Sequence, residues 1–167
     1  MENKDFLKII KKLVKIFELD KKYYPKISYI NALKKSTCYR QGNLRLRAIK
    51  NDHIKDSFGI KFEFEKKALF YTSDTSFSSK MLKKAERLDY LIHDCTASSS
   101  YFKKHPTLYK MHTNAKDLAK YLKLKPKIKT IPVHFLLLRK GEEKRIRKEL
   151  KAIKNVIFVK DFQGIFL

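Results

Sequence analysis

Apolar positions fall into two rhythms along the chain. Over residues 5–19 they recur at Phe6, Leu7, Ile9, Ile10, Leu13, Val14, Ile16 and Phe17, with lysines between them. That spacing predicts a helix with a wide apolar face and a solvated basic one. Residues 27–33 read as strand or loop. After a turn at Arg40-Gln41-Gly42-Asn43 the rhythm shortens. Residues 44–49 alternate as a half-exposed strand, and residues 58–65 and 68–73 predict two strands joined at Lys66-Lys67 as a hairpin. A short helix is expected over 78–88, with Met81, Leu82 and Ala85 inward, then a strand over 89–95. Residues 96–112 read as a long polar loop. Thr113 is a plausible N-cap for a helix over 113–122. A strand over 129–134, a charged helix over 142–153 and strands over 156–160 and 164–167 complete the pattern. Strands alternating with helices predict an α/β layered domain, and the hairpin makes its sheet mixed.

The same pattern places chemistry at strand ends. The apolar run Ala68 to Tyr71 stops at Thr72-Ser73-Asp74-Thr75. The run Tyr90-Leu91-Ile92 stops at His93-Asp94-Cys95-Thr96, and Ile131-Pro132-Val133 stops at His134. His53 lies in the loop after the strand of residues 44–49. A single Asp after a strand is usually a turn residue or helix cap, and a single His there is usually an ordinary polar residue. Several strand ends that bring imidazoles and carboxylates together are what a metal site needs.

Composition narrows the picture. At 167 residues, with twelve Phe and nine Tyr, the chain is long enough for one domain with a real core. No apolar run reaches the length of a membrane span, and the charged start lacks the apolar stretch of a signal peptide. The expectation is a cytoplasmic protein with no membrane partner. Cys38 and Cys95 have no metal-ligand spacing. The net charge of +23 favours a polyanionic partner, most simply nucleic acid. Lysine dominates the forty basic residues, and arginine, the better bidentate phosphate ligand, is scarce, so the charge is weak support.

From about Leu44 to the end, the sequence resembles the C-terminal half of the metallo-β-lactamase fold hydrolases, nearest the ribonuclease Z and cyclic-nucleotide phosphodiesterase branch. His53-x-x-x-Ser57-Phe58-Gly59 resembles that family's third histidine loop. Tyr71-Thr72-Ser73-Asp74-Thr75 is similar to its Asp-Thr motif. His93-Asp94-Cys95-Thr96 resembles a His-Glu-Ala-Thr motif, with Asp and Cys at its middle positions. His112-Thr113-x-Ala115 and Val133-His134-Phe135 resemble the later histidine steps, and residues 161–167 the closing Asp-Gly strand, with two residues inserted.

The resemblance implies half of an αββα sandwich: one mixed sheet with flanking helices. Residues 1–43 would be a variable helical lead-in and residues 44–167 the motif-bearing half of a single partial domain. It implies a dizinc phosphodiesterase or ribonuclease acting in RNA processing. Asp74 would bridge two zinc ions, with His53 completing one shell and His134 the other. His93 and Asp94 would act outside the metal's direct ligands, in orientation and leaving-group protonation. His112 would hold a phosphate oxygen. The departure is large: no histidine precedes His53, so the His-x-His-x-Asp-His signature is absent. Three ligands cannot hold two zinc ions. The chain therefore reads as half an enzyme, inactive alone, that needs an N-terminal half or a homo-oligomer to cover an apolar sheet face. The alternatives are a non-catalytic basic remnant that binds nucleic acid or a protein, and a hydrolase of cyclic nucleotides or small phosphoesters.

Overall fold

The structure, a computed structural model, describes Lys8, Lys12 and residues 38–136, 139–160 and 163–164. The chain divides into two units, residues 1–31 and 32–167. Of the first, only Lys8 and Lys12 are described, both helical and exposed. The expected helix over 5–19 and strand over 164–167 otherwise lie outside the described residues, as do all of residues 27–37.

Six strands make one mixed sheet whose spatial order follows the chain. These are β1 (Cys38–Gln41), β2 (Leu44–Lys50), β3 (Phe58–Phe64), β4 (Lys67–Tyr71), β5 (Tyr90–Asp94) and β6 (Lys129–Val133). The first four pair antiparallel, and β4, β5 and β6 pair parallel. Phe64 pairs with Lys67, so the hairpin turn is Glu65-Lys66, with Glu65 at φ 51°, and Lys67 already belongs to the strand. Helices α1 (Ser79–Lys84), α2 (Ser99–Lys104), α3 (Ala115–Lys123) and α4 (Glu142–Leu150) connect or follow the strands, and a 3-10 turn spans Pro106–Lys110. Among the described residues no helix is long and apolar enough to cross a membrane.

The core lies on one face of the sheet. Ile49, Phe70 and Leu91 pack with Met81 and Leu82 of α1, Leu118 and Leu122 of α3, and Ile146 and Leu150 of α4. Gly59 in β3 allows this packing: a Cβ there would meet the Tyr71 carbonyl at 2.6 Å and the Phe70 ring at 2.8 Å. On the same face β3 carries Lys61, 1% exposed, whose ammonium pairs with Glu63 at 2.7 Å. That contact holds the Glu63 carboxyl below its usual range. β3 is therefore not apolar on both faces. The other face collects Leu46, Ile60, Phe62, Leu69, Ile92 and Val133, all half-buried, together with exposed Phe64 and Tyr71.

Several expected boundaries move for local reasons. Asn114, not Thr113, caps α3: its side chain accepts from the Asp117 N–H, while the Thr113 hydroxyl donates to the Thr75 carbonyl. Residues 96–112 hold α2 and the 3-10 turn rather than an open loop. Ser98 caps α2, and Glu142 and Glu149 of α4 accept from the free N–H groups of Ser98 and Ser99. Long-range carboxylates thus satisfy a helix start. Residues 156–160 form no strand. Only a bridge between Val156 and Thr130 continues the sheet.

Candidate metal centre

Because β2 is antiparallel to β3, and β3 to β4, strands β2, β4, β5 and β6 all point the same way. Their C-terminal ends open on one edge, where α/β sheets place ligands. The four segments leaving that edge carry His53, Asp74, Asp94 with Thr96, and His134.

Asp74, His112 and His134 offer donor atoms that all lie within 4.8 Å of one another. Nε2 of His134 is 3.6 Å from a carboxylate oxygen of Asp74. The rings of His112 and His134 have centroids 5.2 Å apart, and His53 stands next to His112 at 5.0 Å. The sequence-derived pair Asp74 and His134 thus meets, His112 joins it, and His53 lies beside His112 without entering the group.

All three imidazoles are held by Nδ1. His53 contacts the Met111 carbonyl at 2.9 Å, and His112 contacts Oδ2 of Asp94 at 3.0 Å. His134 lies 3.2 Å from the Thr96 hydroxyl, which itself donates to Oδ1 of Asp94 at 2.7 Å. These partners are acceptors, or are already committed as donors towards Asp94. Each ring therefore carries a proton on Nδ1 and turns Nε2 away from these partners, the arrangement in which a histidine can offer Nε2 to a metal.

Asp94 is the hub of this arrangement. At 1% exposure its carboxylate also accepts the Thr75 N–H at 3.0 Å. Strand alternation sends the neighbouring His93 to the other face. There His93 is fully buried, its Nδ1 is 2.7 Å from the Asp94 carbonyl, and its ring packs 6.3 Å from Phe77. Its Nε2 has no partner among the described residues, and burial pulls its pKa down, keeping the ring neutral. Asp94 therefore orients His112 and Thr96 rather than its sequence neighbour.

The loops are locked to each other. Asn51, 1% exposed, donates to the carbonyls of Thr72 at 2.8 Å and Asp74 at 3.0 Å and accepts from the Ser57 hydroxyl. It ties the His53 loop to the Asp74 loop. The Asp52 N–H donates to the Thr75 hydroxyl, and the Ser76 N–H to the Asp52 carbonyl. Ser73 and His134 sit at φ 56° and 66°, left-handed conformations that non-glycine residues seldom adopt. No sequence signal marks Asn51: it is one polar residue between a strand and a loop, and the two carbonyls to which it donates lie more than twenty residues away.

One carboxylate and two imidazoles, with a position left open, suit a catalytic divalent ion such as zinc. The donor set fits one ion. A second would need donors beyond these three.

The architecture, one mixed six-stranded sheet with flanking helices, matches solved metallo-β-lactamase fold structures. The metallo-β-lactamase fold protein YhfI from Bacillus subtilis superposes with a TM-score of 0.63 at 17% identity, over 89% of this chain and 59% of that one. A possible metal-dependent hydrolase from Veillonella parvula gives 0.61 at 19% identity, over 78% and 56%. An isothiocyanate hydrolase from Delia radicum gut bacteria gives 0.58 at 14% identity, over 90% and 63%. The chain spans less than two thirds of each of these structures. No curated protein matches the chain. The family model described as anti-Pycsar protein Apyc1 matches residues 17–148, and the chain belongs to that family.

Proposed function

We propose that the chain carries part of the ligand set of a metal-dependent phosphodiesterase. The observation that carries this reading is the group Asp74, His112 and His134 at the strand ends, with the imidazoles fixed through Nδ1 and their Nε2 lone pairs left for a cation. A bound divalent ion there polarises a phosphoryl oxygen and lowers the pKa of water. Asp74 supplies the anionic oxygen. His112 and His134 supply neutral nitrogen, which suits a cation better than a phosphate oxygen. Asp94 and Thr96 hold both rings in position, and His53 stands by as a fourth donor. Zinc is the ion of choice, and a His-x-His-x-Asp-His segment supplied by another stretch of polypeptide would complete a two-ion site.

RNA is one substrate reading, supported by the +23 charge. The other is a cyclic nucleotide or small phosphoester. The family description, anti-Pycsar protein, names neither substrate. The test is hydrolysis of bis-p-nitrophenyl phosphate, an RNA oligonucleotide and cyclic mononucleotides with zinc or manganese. The chain alone is expected to be inactive. A segment carrying the missing signature is expected to restore turnover, and Asp74→Ala to abolish it. Robust turnover by the chain alone, or by the Asp74→Ala variant, overturns the proposal.

A further inference from the structure

At the opposite edge of the sheet from the metal centre lies an open cleft of about 620 Å³ between the end of α3, the connection into β6 and the segment after α4. Pro126, Ile153 and Ile157 give it an apolar floor. Lys123, Lys127, Lys129 and Lys154 stand around it, all exposed, and no carboxylate lines it. Among the described residues none of these four makes an ion pair. Lys129 lies over the Tyr90 ring, 5.5 Å from its centroid. The carbonyls at the C-terminus of α3 favour a cation at Lys123 but do not account for the other three. Lys129 begins β6 and His134 follows its end, so the cleft and the candidate metal centre are about 17 Å apart at roughly 3.3 Å per strand residue.

We propose that this cleft is a second binding site, distinct from the metal centre, for the phosphate groups of nucleotides. Four uncompensated cations repel one another, and an anion relieves that repulsion. The apolar floor offers a surface for a base or ribose that inorganic phosphate alone would leave unused. A free mononucleotide and a single-stranded oligonucleotide carry the same chemistry. This inference does not depend on the hydrolytic reading, because it concerns binding without turnover.

The experiment measures anisotropy of a labelled nucleoside monophosphate and a labelled single-stranded RNA, with chelator present, across a salt series. A triple variant, Lys123→Ala with Lys127→Ala and Lys154→Ala, is compared with a control triple, Lys66→Ala with Lys80→Ala and Lys83→Ala. The control residues are equally exposed and lie on the β3–β4 turn and α1. Both triples remove the same charge. The cleft triple is expected to flatten the salt slope for RNA by about two, at roughly 0.7 per phosphate contact, and to weaken binding at least about tenfold at low salt. The control is expected to lose less than half as much. Loss of mononucleotide binding in the cleft triple identifies a one-nucleotide site. Loss confined to RNA identifies a site for the polymer. Equal effects of the two triples, which general attraction to a lysine-rich surface would give, overturn the proposal, as does unchanged binding. Lys127→Glu alone, at an exposed position, repeats the comparison should the triple fold poorly.

Discussion

Asp94 sets the tautomer of the candidate ligands from a buried position. Its oxygens take the Thr75 N–H, the Thr96 hydroxyl and Nδ1 of His112. Asp94→Asn keeps the size but turns one acceptor into a donor aimed at groups that already donate. Partners of this kind are typically worth about 10–100-fold in metal affinity. Zinc affinity of the variant, read by chelator competition, is expected to fall by that factor while the far-ultraviolet circular dichroism stays unchanged. Unchanged affinity would mean that the carboxylate does not orient the rings. His93, next in sequence, makes a different prediction. Burial lowers its folded pKa, so below about pH 6.5 the unfolded chain binds a proton that the folded chain refuses. Its contribution to stability is intact above that pH and is lost as the pH falls towards the folded value, at up to about 1.4 kcal/mol per pH unit. Melting of the metal-free protein is expected to drop more steeply between pH 6.5 and 5 than that of His93→Gln. Parallel curves would refute the assignment. Both pairings needed the strand's alternation to separate adjacent side chains. The motif His93-Asp94 announces two chemical groups but not that they face opposite ways.

The strands were readable because their apolar alternation is local, and β2 to β6 fall within a residue or two of expectation. β1 was hidden in what reads as a turn: Cys38 to Gln41 have little apolar character, and only pairing with Leu44 to Arg47 makes them a strand. The helix α2 was hidden for a similar reason, since Glu142 and Glu149, more than forty residues away, complete its start. Residues 156–160 have a strand's composition but hydrogen-bond to β6 only around Thr130. At the site, Asp74 and His134 were visible as strand ends. The place of His112 among the candidate ligands was not, because the chain brings it there after α2 and the 3-10 turn. The contact between β3 and β4 gives a sharp test at this level. Gly59 has no positive φ to justify it, only lack of room under Phe70 and against the Tyr71 backbone. Gly59→Ala forces the two strands or the Phe70 ring to shift, a strain of about 1–3 kcal/mol. A fall in the denaturation midpoint corresponding to that range is expected, and an unchanged or raised midpoint would show that the strands part without cost.

At the scale of the whole molecule, the sheet has two unlike faces. One is covered by α1, α3 and α4, whereas the other presents Phe62, Leu69 and Ile92 half-buried and Phe64 at 52% exposure. The site lies at the edge shared by both. Its donors come from four segments of the described chain, yet only Asp74, His112 and His134 close on one point. A zinc ion in a catalytic site takes about three protein ligands and keeps a further position for water or substrate. Among the described residues these three form one group that could hold a metal ion, and two zinc ions would demand about twice as many donors. No histidine precedes His53 to provide them. A single ion held by two imidazoles and one carboxylate, at a centre where Asp74 and His134 are 39% and 45% exposed, would be open to exchange with solvent and with chelators. Elemental analysis after dialysis against metal-free buffer is accordingly expected to find no more than one zinc per chain, with Asp74→Ala removing it. Addition of a polypeptide bearing His-x-His-x-Asp-His is expected to raise the count to two. Two zinc ions tightly retained by the chain alone would mean that His53 or residues outside the described set already close a second shell, and would overturn the need for a completing segment.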